Sequence, residues 1–272
     1  MMVWRPYVSF NIWSQFASSV GKEYWHCDMK RGFSRARKKE PLVKALLEQD
    51  TIPQHIGLLA QKGISEFHQD IQLLHQSDGV DIVVKKLGLY QKPLEVQQRV
   101  IKILENYYQS PILLGKNILQ LNRGDEGIPK PILIQQGNYF FNLFAAIDCI
   151  FIESDGRLHI LDFKTGTSDF DRRQAFVYLL AAAYLYPQQK AVASFYNLET
   201  GKHSELITAT NGQLKAIQDK LAQIAQEHQK ELQRYKKNPS EFANIFPANP
   251  GLPCRNCQFT SICQFSQFEL PA

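Results

Sequence analysis

Residues 145–164 read AAIDCIFIESDGRLHILDFK, and this stretch decides the fold. Its two halves are rich in β-branched and aromatic residues, and Ser154-Asp155-Gly156 between them is a turn signal. The stretch therefore predicts a hairpin of two antiparallel strands. Asp148 falls in the first apolar run, where burying an unpaired carboxylate is costly. This position therefore calls for a cation.

The second half of the stretch supplies another carboxylate and an amine. Side chains alternate across a strand, so Asp162 and Lys164 point to one face and Phe163 to the other. The hairpin lets Asp148 and Asp162 approach each other at one end of the sheet. Two carboxylates repel unless a cation lies between them, and Mg2+ or Mn2+ meets that need. Such ions are typical of phosphodiester chemistry.

The segments around the hairpin predict the rest of an α/β core. A helix is expected over Asp171 to Tyr186, and on it Gln174 and Tyr178 lie four apart and share a face. The order strand, strand, strand, helix, strand describes this core. The predicted strands are Pro131 to Gln136, Tyr139 to Phe151, Leu158 to Phe163 and Ala191 to Leu198.

Three regions are predicted within a single domain over residues 1–272. Residues 1–110 read as mainly helical, including a helix from Leu94 to Tyr108, and residues 131–200 hold the predicted catalytic sheet and helix. Residues 212–272 hold a long helix, from about Gln213 to Lys236, followed by a cysteine-containing tail. The chain has 272 residues and 44% hydrophobic content, which suffices for a full core.

Cysteines mark both ends of the chain. Cys254, Cys257 and Cys263 form a Cys-x2-Cys-x5-Cys group, and Cys27 lies far upstream. No signal-peptide pattern is evident, so a reducing cytosol is expected, and clusters of this kind there usually hold a metal. Free buried thiols or a disulfide pair are the alternatives. If all four cysteines bind one centre, it ties the two ends of the chain together.

Charge and hydropathy add two expectations. The most apolar window, Ala175 to Tyr186, is too short to span a bilayer and is closed by Pro187. The net charge is +5, yet basic residues concentrate between Lys22 and Lys39. This segment is either a solvated helix or a surface that tracks phosphates and stacks bases. Its basic residues are Lys22, Lys30, Arg31, Arg35, Arg37, Lys38 and Lys39, interleaved with Tyr24, Trp25 and Phe33.

These motifs together resemble the PD-(D/E)XK nuclease superfamily, from about Cys27 to Cys263. They are Asp148, Asp162-x-Lys164, Gln174-x3-Tyr178 and the cysteine group. The most similar branch is the RecB-like one, whose iron-sulfur members include the AddB nuclease domain and the CRISPR-associated exonuclease of spacer acquisition. The resemblance implies a restriction-endonuclease-like core. Its mixed central β-sheet would be flanked by helices, with a helical N-terminal region and a C-terminal helix plus cysteine cluster.

The resemblance also implies a role for each matching residue. Metal ligands would be Asp148, Asp162, the carbonyl of Phe163 and His68, with Glu66 in reserve for His68. Lys164 would be the catalytic lysine, and Gln174 with Tyr178 the additional motif of the RecB-like branch. Cys27, Cys254, Cys257 and Cys263 would hold a [4Fe-4S] cluster, with zinc as the alternative.

Three positions depart from the family pattern. The spacing from Gly63 to His68 is one residue longer than usual, and Ala145 stands where a glycine usually precedes the first aspartate. Cys27 is followed by Asp28-Met29 rather than by proline and a basic pair.

The function implied is that of a Mg2+- or Mn2+-dependent deoxyribonuclease in the cytoplasm. An exonuclease acting on single-stranded DNA or DNA ends is expected, in DNA repair, recombination or phage defence. A helicase or a CRISPR or repair protein would be a partner. Two alternatives stay open: a non-catalytic nucleic-acid-binding subunit, and a zinc-stabilised scaffold in which Asp162 and Lys164 form a structural ion pair. Endonuclease action, polarity and RNA as substrate stay open as well.

Overall fold

The computed structural model describes residues 5–18, 21–49, 51–166 and 170–266. These residues form an α/β fold with two β-sheets, and they divide into two compact units. The first unit contains Met1–Asp50, Leu133–Phe144 and Ala216–Ala272, and the second contains Thr51–Ile132 and Ala145–Lys215. The single domain expected over 1–272 stays a prediction beside this division.

The elements of the described residues are as follows. The strands are β1 (Tyr7–Ser9), β2 (Asn117–Leu121), β3 (Ile132–Gln136), β4 (Tyr139–Phe144), β5 (Cys149–Ile152), β6 (Leu158–Lys164) and β7 (Ala191–Asn197). The helices are α1 (Phe10–Phe16), α2 (Asp28–Arg35), α3 (Pro41–Leu47), α4 (Ile52–Gln69), α5 (Gly79–Lys86), α6 (Leu94–Gln109), α7 (Arg172–Leu185), α8 (Asn211–Lys237) and α9 (Phe242–Ile245).

The first unit is built on the small sheet β1-β4-β3. β1 pairs in parallel with β4, and a turn at Gly137, in the left-handed conformation, joins β3 to β4. An aromatic cluster around Phe33 and Phe259, whose rings stack with centroids 5.1 Å apart, connects α2 to the C-terminal tail. Cys257 and Cys263 of that tail therefore pack against the same cluster as Cys27, the residue before α2.

The second unit is built on the mixed sheet β2-β5-β6-β7. β5 is antiparallel to β2 and β6, and β6 is parallel to β7 through the crossover helix α7. Hydrophobic side chains cover both faces of β6: Leu158 and Ile160 pack in the cluster with α7, and Leu161 and Phe163 pack in the cluster with α4 and α6. This burial explains why β6 reads as a nearly continuous apolar run.

Most predicted elements are present, with one correction. The strand predicted over Tyr139–Phe151 is wrong as a single element, because the structure divides it into β4 and β5 in different sheets. The backbone between β4 and β5 accepts hydrogen bonds from other segments. Asn122 N donates to Asp148 O at 2.8 Å, and Tyr178 OH donates to Ala146 O at 2.6 Å. Asp148 thus lies in the bend before β5 rather than inside a strand. The short strands β1 and β2 were not predicted.

Within the described ranges, no helix combines the length and the apolar composition that a membrane-spanning segment requires.

Candidate active site

The end of β6 places a carboxylate and an amine side by side. Asp162 and Lys164 point to the same face, as the alternation predicted, and Lys164 Nζ forms an ion pair with Asp162 Oδ2. Asp162 is only 2% exposed, whereas the lysine side chain is 32% exposed. The amine can therefore contact a solvent-borne substrate while the carboxylate stays buried.

Helix α7 holds this pair in place. The helix begins at its N-cap Asp171, whose side chain accepts from Arg173 N, and this start puts Gln174 in the first turn. Gln174 Nε2 donates to Asp162 Oδ1 at 2.9 Å, and its Oε1 accepts from Lys164 Nζ at 3.0 Å. One turn later, Tyr178 OH lies 2.9 Å from the same Asp162 oxygen. The amide of Gln174 thus bridges the acid and the amine.

Asp148 faces this group from the bend just before the neighbouring strand β5. The β5/β6 register pairs Cys149 with Leu161, so the residue before β5 lies beside Asp162. Phe163 N donates to Asp148 Oδ2 at 2.8 Å, and Gln61 Nε2 of α4 donates to Oδ1 at 3.1 Å. These bonds orient the Asp148 carboxylate from two sides.

Without a cation, it is unfavourable for both buried carboxylates to be ionised at once. Burial, and next the charge of Asp162, raise the pKa of Asp148 to about 8. Burial also raises the pKa of Asp162, although the neighbouring Lys164 opposes this shift. Two buried acids that resist simultaneous ionisation favour a bound cation or a shared proton.

The donor set suits a hard divalent ion. Asp162 Oδ2 is buried and accepts no hydrogen bond of normal geometry from the described residues, although it contacts Lys164. In the described ranges, no three His, Cys, Asp or Glu side chains are arranged to hold a metal ion. Beyond the two carboxylates, ligands would therefore be amide or backbone oxygens and water, which Mg2+ accepts. The Phe163 carbonyl, and the Gln61 amide after it turns its oxygen toward Asp148, would be the further oxygen donors.

The structure does not bring His68 to the acidic pair. Its Nε2 lies 2.6 Å from Tyr107 OH, and burial lowers the pKa of its ring. The reserve residue Glu66 pairs instead with Lys86 and Arg123. His68 follows Gln61 by seven residues, which moves it about 10 Å along the same face of α4. As a metal ligand His68 stays a prediction that no contact in the described residues supports.

Gln61 was missed by the sequence analysis. Gly57 precedes it by four residues, the spacing that the family uses between its glycine and the ligand on this helix, but a histidine or an acid is expected at that position, so the spacing alone does not select Gln61 over His68. A second loop fixes its amide: Gln61 Nε2 also donates to Asn122 O at 3.2 Å. Gly124 has a φ of +87°, and a Cβ there would lie 2.8 Å from Gln61 Oε1. The positive φ favours glycine where this loop passes Gln61, and a larger residue there would also displace the Gln61 amide.

Comparison with known proteins decides the family. A sequence model of the PD-(D/E)XK nuclease superfamily matches residues 35–264, which is most of the chain. The chain belongs to this superfamily. Members of the PD-(D/E)XK superfamily are generally metal-dependent nucleases that use Mg2+ or Mn2+, and the acid pair and lysine described above lie within the matched residues.

The other comparisons add little to this assignment. No curated protein matches the chain. A solved structure described as "Crystal structure of SSO0001" covers 87% of this chain and 94% of its own, at 11% identity and a TM-score of 0.31. A similarity of that degree supports no statement about this superfamily member.

In this PD-(D/E)XK protein the four predicted cluster cysteines line one small pocket. Cys27, Cys254, Cys257 and Cys263 surround a cavity of about 20 Å³ in the first unit. Burial raises the pKa of Cys257, with smaller contributions from Cys27 and Cys254 nearby. As they stand, no three of these described thiols are arranged to hold a metal ion. Cys149 is buried in β5 and takes no part in this pocket.

The basic segment between Lys22 and Lys39 is only partly a surface. Arg31 is 4% exposed and bonds to Asp28 and Glu231, and Arg37 pairs with Glu40. Phe33 is buried as well, so Arg31 and Phe33 belong neither to a solvated face nor to a surface that could contact nucleic acid. The exposed members are Lys22, Lys30, Lys38 and Lys39, with Tyr24 and Trp25.

The Mn2+ requirement of two variants tests which residue of α4, Gln61 or His68, supports the metal site. We expect Gln61→Ala to raise the Mn2+ concentration for half-maximal activity by about tenfold, because the Asp148 carboxylate loses its partner on α4. His68→Ala, the matched change on the same helix face, is expected to shift it less than about twofold, as a side chain outside the metal shell would. Titrations of initial rate against Mn2+ measure both. A larger effect of His68→Ala would return the ligand role to that residue.

Asp148 makes the stability of the metal-free protein depend on pH. Its pKa is about 8 in the folded protein and near its ordinary value of 3.8 when unfolded, so between these values the folded state binds more protons. Stability contributed by the protonated carboxyl is therefore lost as pH rises from about 4 to about 8. With divalent cations removed, Asp148→Asn should be more stable than wild type at pH 8, by several kcal/mol, and similar at pH 4. Denaturant unfolding at both pH values measures this, and identical pH dependence of the two proteins would contradict it.

Proposed function

We propose that this superfamily member is a Mg2+- or Mn2+-dependent deoxyribonuclease of the RecB-like branch, acting as an exonuclease on single-stranded DNA or DNA ends. The observation that carries the proposal is the amide of Gln174, which bonds to both Asp162 and Lys164 beside Asp148. A structural ion pair needs no such bridge. The bridge fixes a partly exposed amine at a defined place next to two buried acids.

Each residue has a separate task in this proposal. When bound, the cation lowers the pKa of a water and offsets charge on the phosphate. Asp148 and Asp162 would hold it, with oxygen atoms of Phe163 and Gln61. Lys164 extends from the buried pair toward solvent, where its charge stabilises the negative charge that develops on the phosphate. Gln174 and Tyr178 keep the Asp162 carboxylate from rotating away.

A [4Fe-4S] cluster is proposed for the cysteine pocket, with zinc as the alternative. Support comes from the convergence of Cys27 with the three C-terminal cysteines on one cavity. Thiolates bind an iron-sulfur cluster as well as zinc, and in this unit either centre would tie α2 to the C-terminal tail. Its role would be structural, because a closed sulfur site offers no position to substrate.

DNA is the proposed partner, with a helicase or a CRISPR or repair protein as a further one, in repair or phage defence in the cytoplasm. The exposed lysines and the aromatic pair of the basic segment support contact with nucleic acid. Tyr24 is 53% and Trp25 40% exposed, and such rings stack with unpaired bases.

The test uses the full chain, purified anaerobically, with linear single-stranded and double-stranded DNA labelled at either end. Metal-dependent release of short products from linear single strands is expected, with circular single-stranded DNA left intact. Asp162→Asn, prepared in parallel, controls for contaminating nucleases. Cleavage of the circle would show endonuclease action, and no cleavage with Mg2+ or Mn2+ would favour a non-catalytic subunit.

A further inference from the structure

A cavity of about 360 Å³ opens at the end of β7 in the second unit. One wall is the end of β7, which runs parallel to β6 and pairs Phe195 with Asp162 and Asn197 with Lys164. Paired residues of neighbouring parallel strands lie about 5 Å apart and point to the same face. Lys164 Nζ is 5.7 Å from the centre of the Phe195 ring. The cavity therefore begins one strand away from the proposed catalytic group.

The inner part of this cavity is aromatic and apolar. Phe170 stacks on Phe195 with ring centroids 5.2 Å apart and planes inclined by 10°, and Ile207 lies beside them. Phe195 and Ile207 are buried, whereas Phe170 is partly exposed. A flat, rigid apolar wall of this kind matches the face of a nucleobase.

The rim of the cavity is polar and carries unpaired cations. Arg172 and Lys202 are exposed, line the cavity, and make no ion pair with any described residue. The side-chain amide of Asn197, in contrast, is already hydrogen-bonded to the backbone. Its Nδ2 donates to Gly166 O at 2.7 Å, and its Oδ1 accepts from Glu199 N and Thr200 N at 3.0 Å. These bonds hold Asn197 in place, so Arg172 and Lys202, which share the lining with the carboxylate of Glu205, are the groups able to meet an anion.

We propose that this cavity binds one nucleotide of the substrate, the one next to the cleaved phosphate, with its base against Phe170 and its phosphate near Arg172 and Lys202. The volume lies within the range of small-ligand sites, roughly 300–1,000 Å³. A base whose face lies on Phe170 has left the stack of a duplex, so the nucleotide must be unpaired. This inference rests on the proposed function and names its substrate as a single strand or a frayed end.

Binding is tested with mononucleotides, separately from cleavage. The full chain, without added divalent cations, is titrated by calorimetry with deoxyadenosine 5′-monophosphate, deoxyribose 5-phosphate and inorganic phosphate. Base stacking predicts that the mononucleotide binds at least about tenfold more tightly than deoxyribose 5-phosphate. Equal affinity for these two ligands would overturn the proposal.

Three variants locate the binding. Phe170→Leu keeps apolar volume but removes the ring, and should weaken the mononucleotide about tenfold while leaving deoxyribose 5-phosphate unchanged. Arg172→Gln, an exposed change that spares the packing, should weaken both. Lys190→Gln, at the opposite end of β7, is the matched control and should change neither. An unaltered mononucleotide affinity in both Phe170→Leu and Arg172→Gln would refute the site.

The outcomes separate this site from the proposed function. Cleavage of linear DNA by a protein that prefers deoxyribose 5-phosphate or does not bind the mononucleotide would refute only the nucleotide site. Mononucleotide binding that depends on Phe170, in a protein that cleaves no DNA, would refute only the nuclease function.

Discussion

Replacing Lys164 with alanine is expected to lower metal-dependent DNA cleavage by about 100-fold or more, with little change in DNA binding. The amine is the one cationic group among the described residues that bonds to both Asp162 and Gln174, and it is exposed enough to reach a phosphate. Its loss removes charge stabilisation that matters most in the transition state, so kcat should fall much more than KM rises. Rates under single-turnover conditions and fluorescence anisotropy with labelled DNA measure the two effects.

Lys190→Ala provides the matched control for this experiment. Lys190 lies in the same unit, at the end of β7 remote from the site, and should leave the rate unchanged. Lys164→Arg keeps the charge but not the compact amine, and is expected to recover only part of the activity. Full cleavage by Lys164→Ala would show that another group does this work and would remove the main support for the active site.

The largest effect on stability is expected from the cysteine pocket. Cys27→Ser and Cys257→Ser should each lose the bound iron, the broad absorption near roughly 400 nm that iron-thiolate bonds produce, and several degrees of unfolding temperature. The two variants should behave alike, because either one opens the same connection between α2 and the C-terminal tail. Iron analysis, absorption spectra and thermal unfolding of anaerobically purified protein measure these changes.

Cys149→Ala separates cluster loss from the loss of any cysteine. Cys149 is buried in β5, outside the pocket, so this variant should retain full iron even if it is less stable. If Cys27→Ser keeps its iron and stability while Cys257→Ser loses both, Cys27 is not a ligand. A colourless wild-type protein with one equivalent of zinc would replace the iron-sulfur proposal with a zinc site.

Several features of the site could be predicted from the sequence because they depend on local periodicity. The period of two in a strand put Asp162 and Lys164 on one face, and the turn at Asp155-Gly156 made β5 and β6 antiparallel, as observed. The helical repeat put Gln174 and Tyr178 on a common face, and both contact Asp162. These relations involve neighbours in sequence, so backbone geometry alone determines them.

Other features depended on contacts between distant segments. Local composition could not divide the apolar run of residues 139–151, because the break follows from bonds that Asn122 and Tyr178 make to it. Sequence periodicity also could not select the residue of α4 that contacts Asp148. Gln61 and His68 occupy the same helix face, and only the height at which α4 packs against the sheet brings Gln61 to Asp148.

By itself, then, the sequence determined the α/β class, which acids and which lysine form the candidate group, and the local faces that present them. The tertiary structure alone decided which distant side chains complete the group, since packing sets the separation of segments that sequence spacing leaves free. Cys27 is a further example. Its separation from the other cysteines along the chain does not show whether they are close in space, and packing around Phe33 and Phe259 places it with the C-terminal cysteines.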